Sequence, residues 1–420
     1  MSSPTPPPAP PPLSHESIEI VKSTAPIMRE HGYAITTCMY KDMFAKCPHI
    51  RGMFNLSHQV GEGALFDVPG GRAEQPMSLA AAVAAYAENI DNLAALGPAV
   101  ETIAHKHVSL NVLPEHYPTV GAHLIGAVAT VLGDAVTPEI AAAWTEAYGF
   151  LAHVFITREN ALRDELAARE GGFDGWKPFV VAHKSKANAS GSMVSLVLKP
   201  ADGSAAPRFA GGQYLSVRCD PGTGMTTRNY SLCGEPDGVA LRITVKRSAA
   251  PKLAEVGSVS AHLHDAVAVG DTLDVGIPAG TFSFDQALAD TAPTVLVAGG
   301  VGLTALVGML HQAKAPKAPL HYVGFFESEA EAALADVVKG RCAALAGAAH
   351  TQHCATPVSA ALLADAAGGA AAARGATFYF CGSPSFTKAV RRALDELGVP
   401  KAQQRYENFG PSLFDNGTAA

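Results

Sequence analysis

From Ser14 to about Arg169, apolar residues recur three and four positions apart, the spacing of one helix face. This pattern predicts helices over roughly 15–31, 33–46, 77–96, 98–111, 116–133 and 138–167, with glycine and proline mainly between them. Six to eight packed helices in about 150 residues make an all-α domain with one core. At Glu170-Gly-Gly-Phe-Asp-Gly the text changes. Strand-like runs follow at Phe179–Val181, Met193–Leu198, Gln213–Arg218, Val239–Arg247 and Thr272–Val275. Their close spacing predicts a small antiparallel β-barrel. Beyond Pro293 the pattern alternates: strand 294–298, helix 303–315, strand 320–326, helix 329–346, strand 377–381, helix 384–397. That is an open α/β sheet. The expected division is a Pro-rich tail over 1–13, then units over 14–169, 177–288 and 289–420, with a linker at 170–176.

Composition narrows the class. Of 420 residues, 48% are apolar and 16% charged, which describes an ordered globular chain. A net charge of −7 and the absence of any Lys/Arg cluster argue against nucleic acid as a partner. Thr291–Ala313 is uncharged and long enough to span a bilayer. Its β-branched start and the glycines between 299 and 308 instead predict strand, turn and buried helix, so no integral membrane segment is expected. Seven cysteines without metal-ligand spacing read as reduced thiols, and the N-terminal MSSPTPPPAPPP lacks a signal peptide's basic and apolar regions. The expectation is a cytoplasmic monomer.

Candidate chemistry begins with two histidines. His105 and His107 stand two positions apart on one predicted helix and so point to nearly opposite sides. The stripe Val100, Ile103, Ala104, Leu110 puts His107 towards the core, leaving His105 and Lys106 towards solvent. A core-facing imidazole needs a partner, either a hydrogen-bonding neighbour or a haem iron.

The motifs around it carry a resemblance. Tyr40-Lys-Asp-Met-Phe-Ala-Lys-Cys-Pro, Phe54-Asn, Ala85-Tyr-Ala-Glu-Asn-Ile-Asp-Asn-Leu, Ala104-His-Lys-His107, Pro114-Glu-His-Tyr117 and Ala147-Tyr-Gly-Phe-Leu-Ala with Arg158-Glu159 are similar to the globin part of the flavohaemoglobin family. The resemblance implies that His107 ligates haem b iron and is held by Tyr117 and Glu159, which would raise electron density on the iron. It implies a distal side of Tyr40, Gln75 and Leu79, with Phe54 packed on the haem face. Pro76 places Gln75 at a helix entrance, because proline suits a first turn and disfavours α conformation in the residue before it. The stretch Val60–Ala73 is longer than the family's usual corner, so distal access is expected to differ.

The second half resembles the ferredoxin-reductase-like module of the same family. Arg228-Asn229-Tyr230-Ser231 matches its R-x-Y-S, Gln213-Tyr214 its Gly-Gln-Tyr, and Lys246 with Gly257-Ser258-Val259-Ser260 a phosphate-binding helix start. These imply FAD. Gly299-Gly300-Val301-Gly302-Leu303-Thr304 is similar to G-G-x-G-x-T-P, with Ala305 in place of the proline, and is not the G-x-G-x-x-G of Rossmann domains. With Cys381-Gly382 and Glu407-Asn-Phe409-Gly it implies NADH or NADPH. The acidic run Phe326-Glu327-Ser328-Glu329 leans towards NADH, since a 2′-phosphate needs basic neighbours.

What the resemblance implies, from about Ser14 to Leu413, is a nitric oxide dioxygenase: NO and O2 become nitrate at the expense of NAD(P)H, in nitrosative-stress detoxification. An alkyl or lipid hydroperoxide reductase on the same electron chain stays open, as does a globin-coupled redox or gas sensor, which would need an output module.

Overall fold

A computed structural model describes residues 12–56, 72–248 and 258–410. Five α-helices come first: α1 (His15–Lys46), α2 (Glu74–Glu88), α3 (Gly97–Ser109), α4 (His116–Leu132) and α5 (Pro138–Ala167). The Ser14 and Thr137 hydroxyls accept from the first-turn amides of α1 and α5, satisfying donors that have no intrahelical partner. The expected break near residue 32 does not occur. Gly32 lies inside the 32-residue α1, where a Cβ would sit 3.0 Å from that of Ala80 on α2. This glycine lets two helices cross closely and does not end one. The helix expected over 77–96 starts three residues earlier and ends at Glu88, with a 3-10 turn at Leu93–Leu96.

The barrel strands are β1 (Trp176–Lys186), β2 (Met193–Pro200), β3 (Tyr214–Cys219), β4 (Thr226–Ser231), β5 (Leu241–Lys246) and, after the short α6 (Val259–Asp265), β6 (Thr272–Gly276). They form an antiparallel sheet in the order β4-β3-β6-β1-β2-β5. A bridge between Leu232 and Ile243 brings the two ends of that order together, so the sheet curls around one apolar core.

A short α7 (Gln286–Ala289) leads into β7 (Thr294–Gly299), α8 (Leu303–Gln312), β8 (Leu320–Phe326), α9 (Ala335–Ala344), β9 (Ala348–Cys354), α10 (Ala360–Ala366), α11 (Ala370–Ala373), β10 (Thr377–Gly382), α12 (Pro384–Glu396) and β11 (Gln404–Asn408). The five strands are parallel, in the order β11-β10-β7-β8-β9, with a separate apolar cluster on each face. β9 was not expected, because Ala-Ala-His-Thr-Gln-His-Cys is a largely exposed edge strand without alternation. The uncharged Thr291–Ala313 resolves into β7, a glycine turn and α8, as its pattern predicts. Among the described residues no helix is long and apolar enough to cross a membrane.

The modules are packed together. The glycine hinge is closely covered: a Cβ on Gly171 would run into Ala206 O and one on Gly172 into Leu166 O. Asp174 accepts from Arg163 at 2.9 Å, tying the hinge back to α5. Gly308 on α8 is pressed against the barrel, where a methyl group would strike the carbonyl oxygen of Leu232. Glycine to alanine inside an exposed helix normally stabilises by roughly 0.5–1 kcal/mol. Here the sign reverses. Gly308→Ala is expected to destabilise by about 1–3 kcal/mol through overpacking, read as a lower melting temperature.

Candidate functional site

His107 lies in the last turn of α3 and is half-buried. Its Nδ1 is 2.6 Å from Glu159 Oε1 on α5 and 3.0 Å from the Tyr117 hydroxyl at the start of α4. Tyr117 donates to the same carboxylate oxygen at 2.5 Å. Glu159 is 2% exposed, and a buried carboxylate persists only when its oxygens accept hydrogen bonds. Burial, then the Glu159 charge, pushes the Tyr117 phenol up, so it remains a donor. With the carboxylate accepting, the ring proton sits on Nδ1 and Nε2 keeps its lone pair. That nitrogen has no hydrogen-bond partner among the described residues.

The remaining candidates of this site lie on or beside α1 and α2. Tyr40 is 3% exposed, its ring packed edge-on to Phe54 at 5.6 Å. Gln75 occupies the first turn of α2, at the helix entrance as Pro76 implies, and its Nε2 donates to the Tyr40 hydroxyl at 3.3 Å. Pro76 fits because a first-turn amide has no acceptor to lose. Burial pushes the Tyr40 phenol up to about 12. Most of the long corner, 57–71, lies outside the described residues.

The apolar side chains of the helical module fall into more than one cluster. One cluster holds Tyr40 with half-buried Phe54 and Leu79; another holds Tyr117 and Phe155 with half-buried Val100 and Ile103. A small domain ordinarily has one contiguous core. Two clusters with half-covered apolar faces, a buried phenol on one side and a lone-pair imidazole on the other, fit a flat apolar metallocycle.

His105 departs from its expected place. It is 8% exposed: Nδ1 accepts from the Gly280 amide at 3.0 Å, and Nε2 lies 3.2 Å from Glu101. Lys106 donates to Gly410 O at 3.1 Å. The face of α3 that periodicity assigns to solvent is covered by the second module, which a pattern within one helix cannot reveal. Ala104 and Val108 share an apolar cluster with Ile277, and a Cβ on Gly276 would run into Ser109 O.

In the barrel, Arg228, Asn229, Tyr230 and Ser231 end β4, with Tyr214 opposite Ser231 on β3. Arg228 donates to Thr226 Oγ1 and Thr227 O but has no carboxylate partner among the described residues. Burial presses its guanidinium down, and a desolvated cation lacking a counter-ion fits an anionic ligand such as a pyrophosphate. Asn229 is exposed and accepts from Ser216. The Gln213 amide is engaged at both ends, by Ala210 N and Gly280 O, so it fixes a loop. Lys246 is exposed at the end of β5; Ser258 caps α6 ahead of Val259 and Ser260, and Gly257 lies outside the described residues.

The glycine motif sits at a topological switch. The chain runs from β7 to β8 and β9 on one side, then returns to place β10 on the other. Ligands of open α/β sheets bind in the crevice beyond the strand ends at such a point. Gly299 ends β7, Gly300–Gly302 makes a 3-10 turn after it, and Cys381-Gly382 ends the adjacent β10. A Cβ on Gly302 would run into Cys381 O, and one on Gly299 into the Phe386 ring, a contact with no sequence signal. Leu303 is buried and the Thr304 hydroxyl bonds Val301 O, which leaves backbone amides around Gly300 for a phosphate. Glu407 pairs with Cys381 across β11 and β10, and Phe409 beyond it is exposed.

A family model described as Globin matches residues 37–155. Proteins named "Flavohemoprotein" from Rhodopirellula baltica and Deinococcus radiodurans are 39% and 40% identical over 419 residues, each aligned over 95% of this chain and 98% of its own length. A crystal structure of flavohemoglobin from Malassezia yamatoensis with bound FAD and heme superposes with a TM-score of 0.78 at 25% identity, covering 95% of this chain and all of that one.

Burial pushes the Glu407 carboxyl up to about 7, a rise that the Lys106 charge moderates. The folded chain therefore holds this proton more tightly than the unfolded chain. Its contribution to stability is whole below an ordinary glutamate value near 4.5 and is lost as pH rises through 7. Glu407→Gln is thus expected to gain stability relative to the parent between about pH 5 and 7.5, on the order of 1 kcal/mol after discounting partial exposure. Urea melts at several pH values check the trend.

Proposed function

The chain belongs to the flavohaemoprotein family, and we propose that it is a nitric oxide dioxygenase that turns NO and O2 into nitrate at the expense of NAD(P)H. It is a flavohaemoprotein oxidoreductase, a globin domain joined to an FAD- and NAD-binding reductase module. The observation that carries the finer reading is the pairing of His107 with a buried carboxylate, on a helix packed against the reductase. When bound, FAD would take two electrons as hydride and release them singly, and haem iron would accept them and activate dioxygen.

The chain's own groups supply the rest. Glu159 holds the Nδ1 proton of His107 and gives the imidazole imidazolate character, which suits O2 activation better than reversible carriage. Tyr117 shares that carboxylate and keeps the ring from turning. Across the pocket, the Tyr40 phenol stays protonated at neutral pH and can donate to dioxygen; Gln75 donates to its oxygen and orients it. Leu79 and Phe54 would present apolar surface to the macrocycle.

Arg228 would neutralise the FAD pyrophosphate, with Tyr230 and Tyr214 along the isoalloxazine and Ser231 within reach of its reactive ring nitrogen. The crevice between Gly300-Val301-Gly302 and Cys381-Gly382 would take the nicotinamide nucleotide. Glu327 and Glu329 are exposed beyond β8 and disfavour a 2′-phosphate, which makes NADH the preferred donor.

Stopped-flow NO consumption tests the reading. The purified enzyme should consume NO when both NADH and O2 are present, and faster with NADH than with NADPH. His107→Ala should abolish both the haem Soret band and turnover. Tyr40→Phe should keep the Soret band but lower turnover by about 100- to 1000-fold, the range for loss of one preorganised donor. NO consumption no faster than a flavin-free control, or faster turnover of an alkyl hydroperoxide, would overturn it.

A further inference from the structure

Seven residues beyond Tyr40, where α1 ends, three side chains unused by the haem site converge. Cys47 Sγ lies 3.7 Å from His123 Nε2 on α4, and His123 Nδ1 lies 2.8 Å from Asp42 Oδ2, one helical turn back on α1. The other oxygen of Asp42 pairs with Lys46 at 2.8 Å. Hydrogen bonds from Lys46 and His123 hold the Asp42 carboxyl below its ordinary range, so it is ionised at neutral pH. An ionised carboxylate on Nδ1 fixes the tautomer that carries its lone pair on Nε2, facing the thiol. Thiol, imidazole and carboxylate in that order are the arrangement that activates a cysteine nucleophile.

The other cysteines lack it. Cys219, Cys233, Cys342 and Cys381 are buried, and burial pushes each thiol up, away from the reactive thiolate. Cys38 and Cys354 are half-buried like Cys47, but among the described residues Cys47 is the one thiol hydrogen-bonded to an imidazole. His123 is 12% exposed in its side chain, shielded enough to hold its geometry, while Cys47 keeps surface open to a small reagent.

We infer that Cys47, His123 and Asp42 form a thiol site that takes the nitroso group from low-mass S-nitrosothiols. The Cys47 S–H bond breaks and its proton passes to His123 Nε2. The sulfur electron pair forms a bond to the nitroso nitrogen, the donor's S–N bond breaks, and the departing thiolate takes the proton back from His123. Nothing is oxidised or reduced; S-nitroso-Cys47 and a free thiol are the products. Attack on a peroxide fits less well, since a sulfenic acid needs a second thiol to resolve it and no disulfide partner stands by Cys47. The site goes beyond the proposed NO chemistry and needs neither haem nor flavin, so it can fail independently of that reading.

The test treats the purified holoenzyme with S-nitrosoglutathione and follows each cysteine by time-resolved peptide mass spectrometry. Cys47 should gain the nitroso group about tenfold or more faster than Cys38. His123→Asn should bring Cys47 down to the Cys38 rate, and Asp42→Asn should slow it by about threefold or more, with Cys38 unchanged in both. Should His123→Asn fail to fold, Asp42→Asn decides alone, because that carboxylate lies at the surface. Equal rates at Cys47 and Cys38, no slowing in Asp42→Asn, or a glutathionyl adduct in place of the nitroso group would overturn the inference.

Discussion

The carboxylate of Glu159 is the constraint around which the rest is arranged. It is buried on α5, and one of its oxygens accepts from both Tyr117 and the His107 ring. Removing either partner would take one of two hydrogen bonds from a buried carboxylate oxygen, at a cost of roughly 1–3 kcal/mol. The trio therefore fixes α3, α4 and α5 against one another as well as the imidazole. Because α3 is rigid over its short length, whatever fixes His107 on one side also fixes His105 and Lys106 on the other. Those two residues hold Gly280 and Gly410 of the reductase module. One helix thus sets the His107 imidazole on one side and the contact with the reductase module on the other.

This double use explains where the sequence could be read and where it could not. Periodicity distinguished His107 from His105, since residues two apart on a helix face opposite ways. It could not distinguish solvent from a second module, because both accept a polar residue, and so it misplaced His105 and Lys106. Gly32 shows the same ambiguity: a glycine in a helical run signals either a break or a close crossing, and only Ala80, almost fifty residues away, decides. β9 escaped because an exposed edge strand has no inner face to enforce alternation. The strands and helices that were legible are those with one face in a core.

The reductase half gives a second version of this lesson. The glycines at 299–302 and Cys381-Gly382 are both visible as motifs, but their adjacency follows from strand order. The chain must turn back across β7 to lay down β10, and that reversal opens the crevice. Close packing then dictates the residue type: Gly302 is glycine because Cys381 O lies where a Cβ would be. Arg228 carries the converse signal, a half-buried cation whose visible partners are a hydroxyl and a carbonyl. Motif letters suggested an anion there; the lack of a carboxylate partner among the described residues is a physical feature that fits one.

The His107 side and the Tyr40 side differ in stiffness, and the difference follows from bond type. On the His107 side a charge-assisted bond of 2.6 Å contributes on the order of 1.5–3 kcal/mol. On the Tyr40 side the bond from Gln75 is a neutral amide-to-phenol bond of 3.3 Å, at the weak end of about 0.5–1.5 kcal/mol. The crossing of α1 and α2 adds to it: Thr36 donates to Pro76 O at 2.8 Å and Gly32 meets Ala80. Gln75 and Pro76 are consecutive, so the residue that reaches Tyr40 and the carbonyl that anchors α2 move as one. A small slide of α2 along α1 would shift Gln75 relative to Tyr40 while leaving His107 untouched. The imidazole side is therefore set by chemistry that resists change, and the phenol side by a helix crossing that can be retuned without rebuilding the domain.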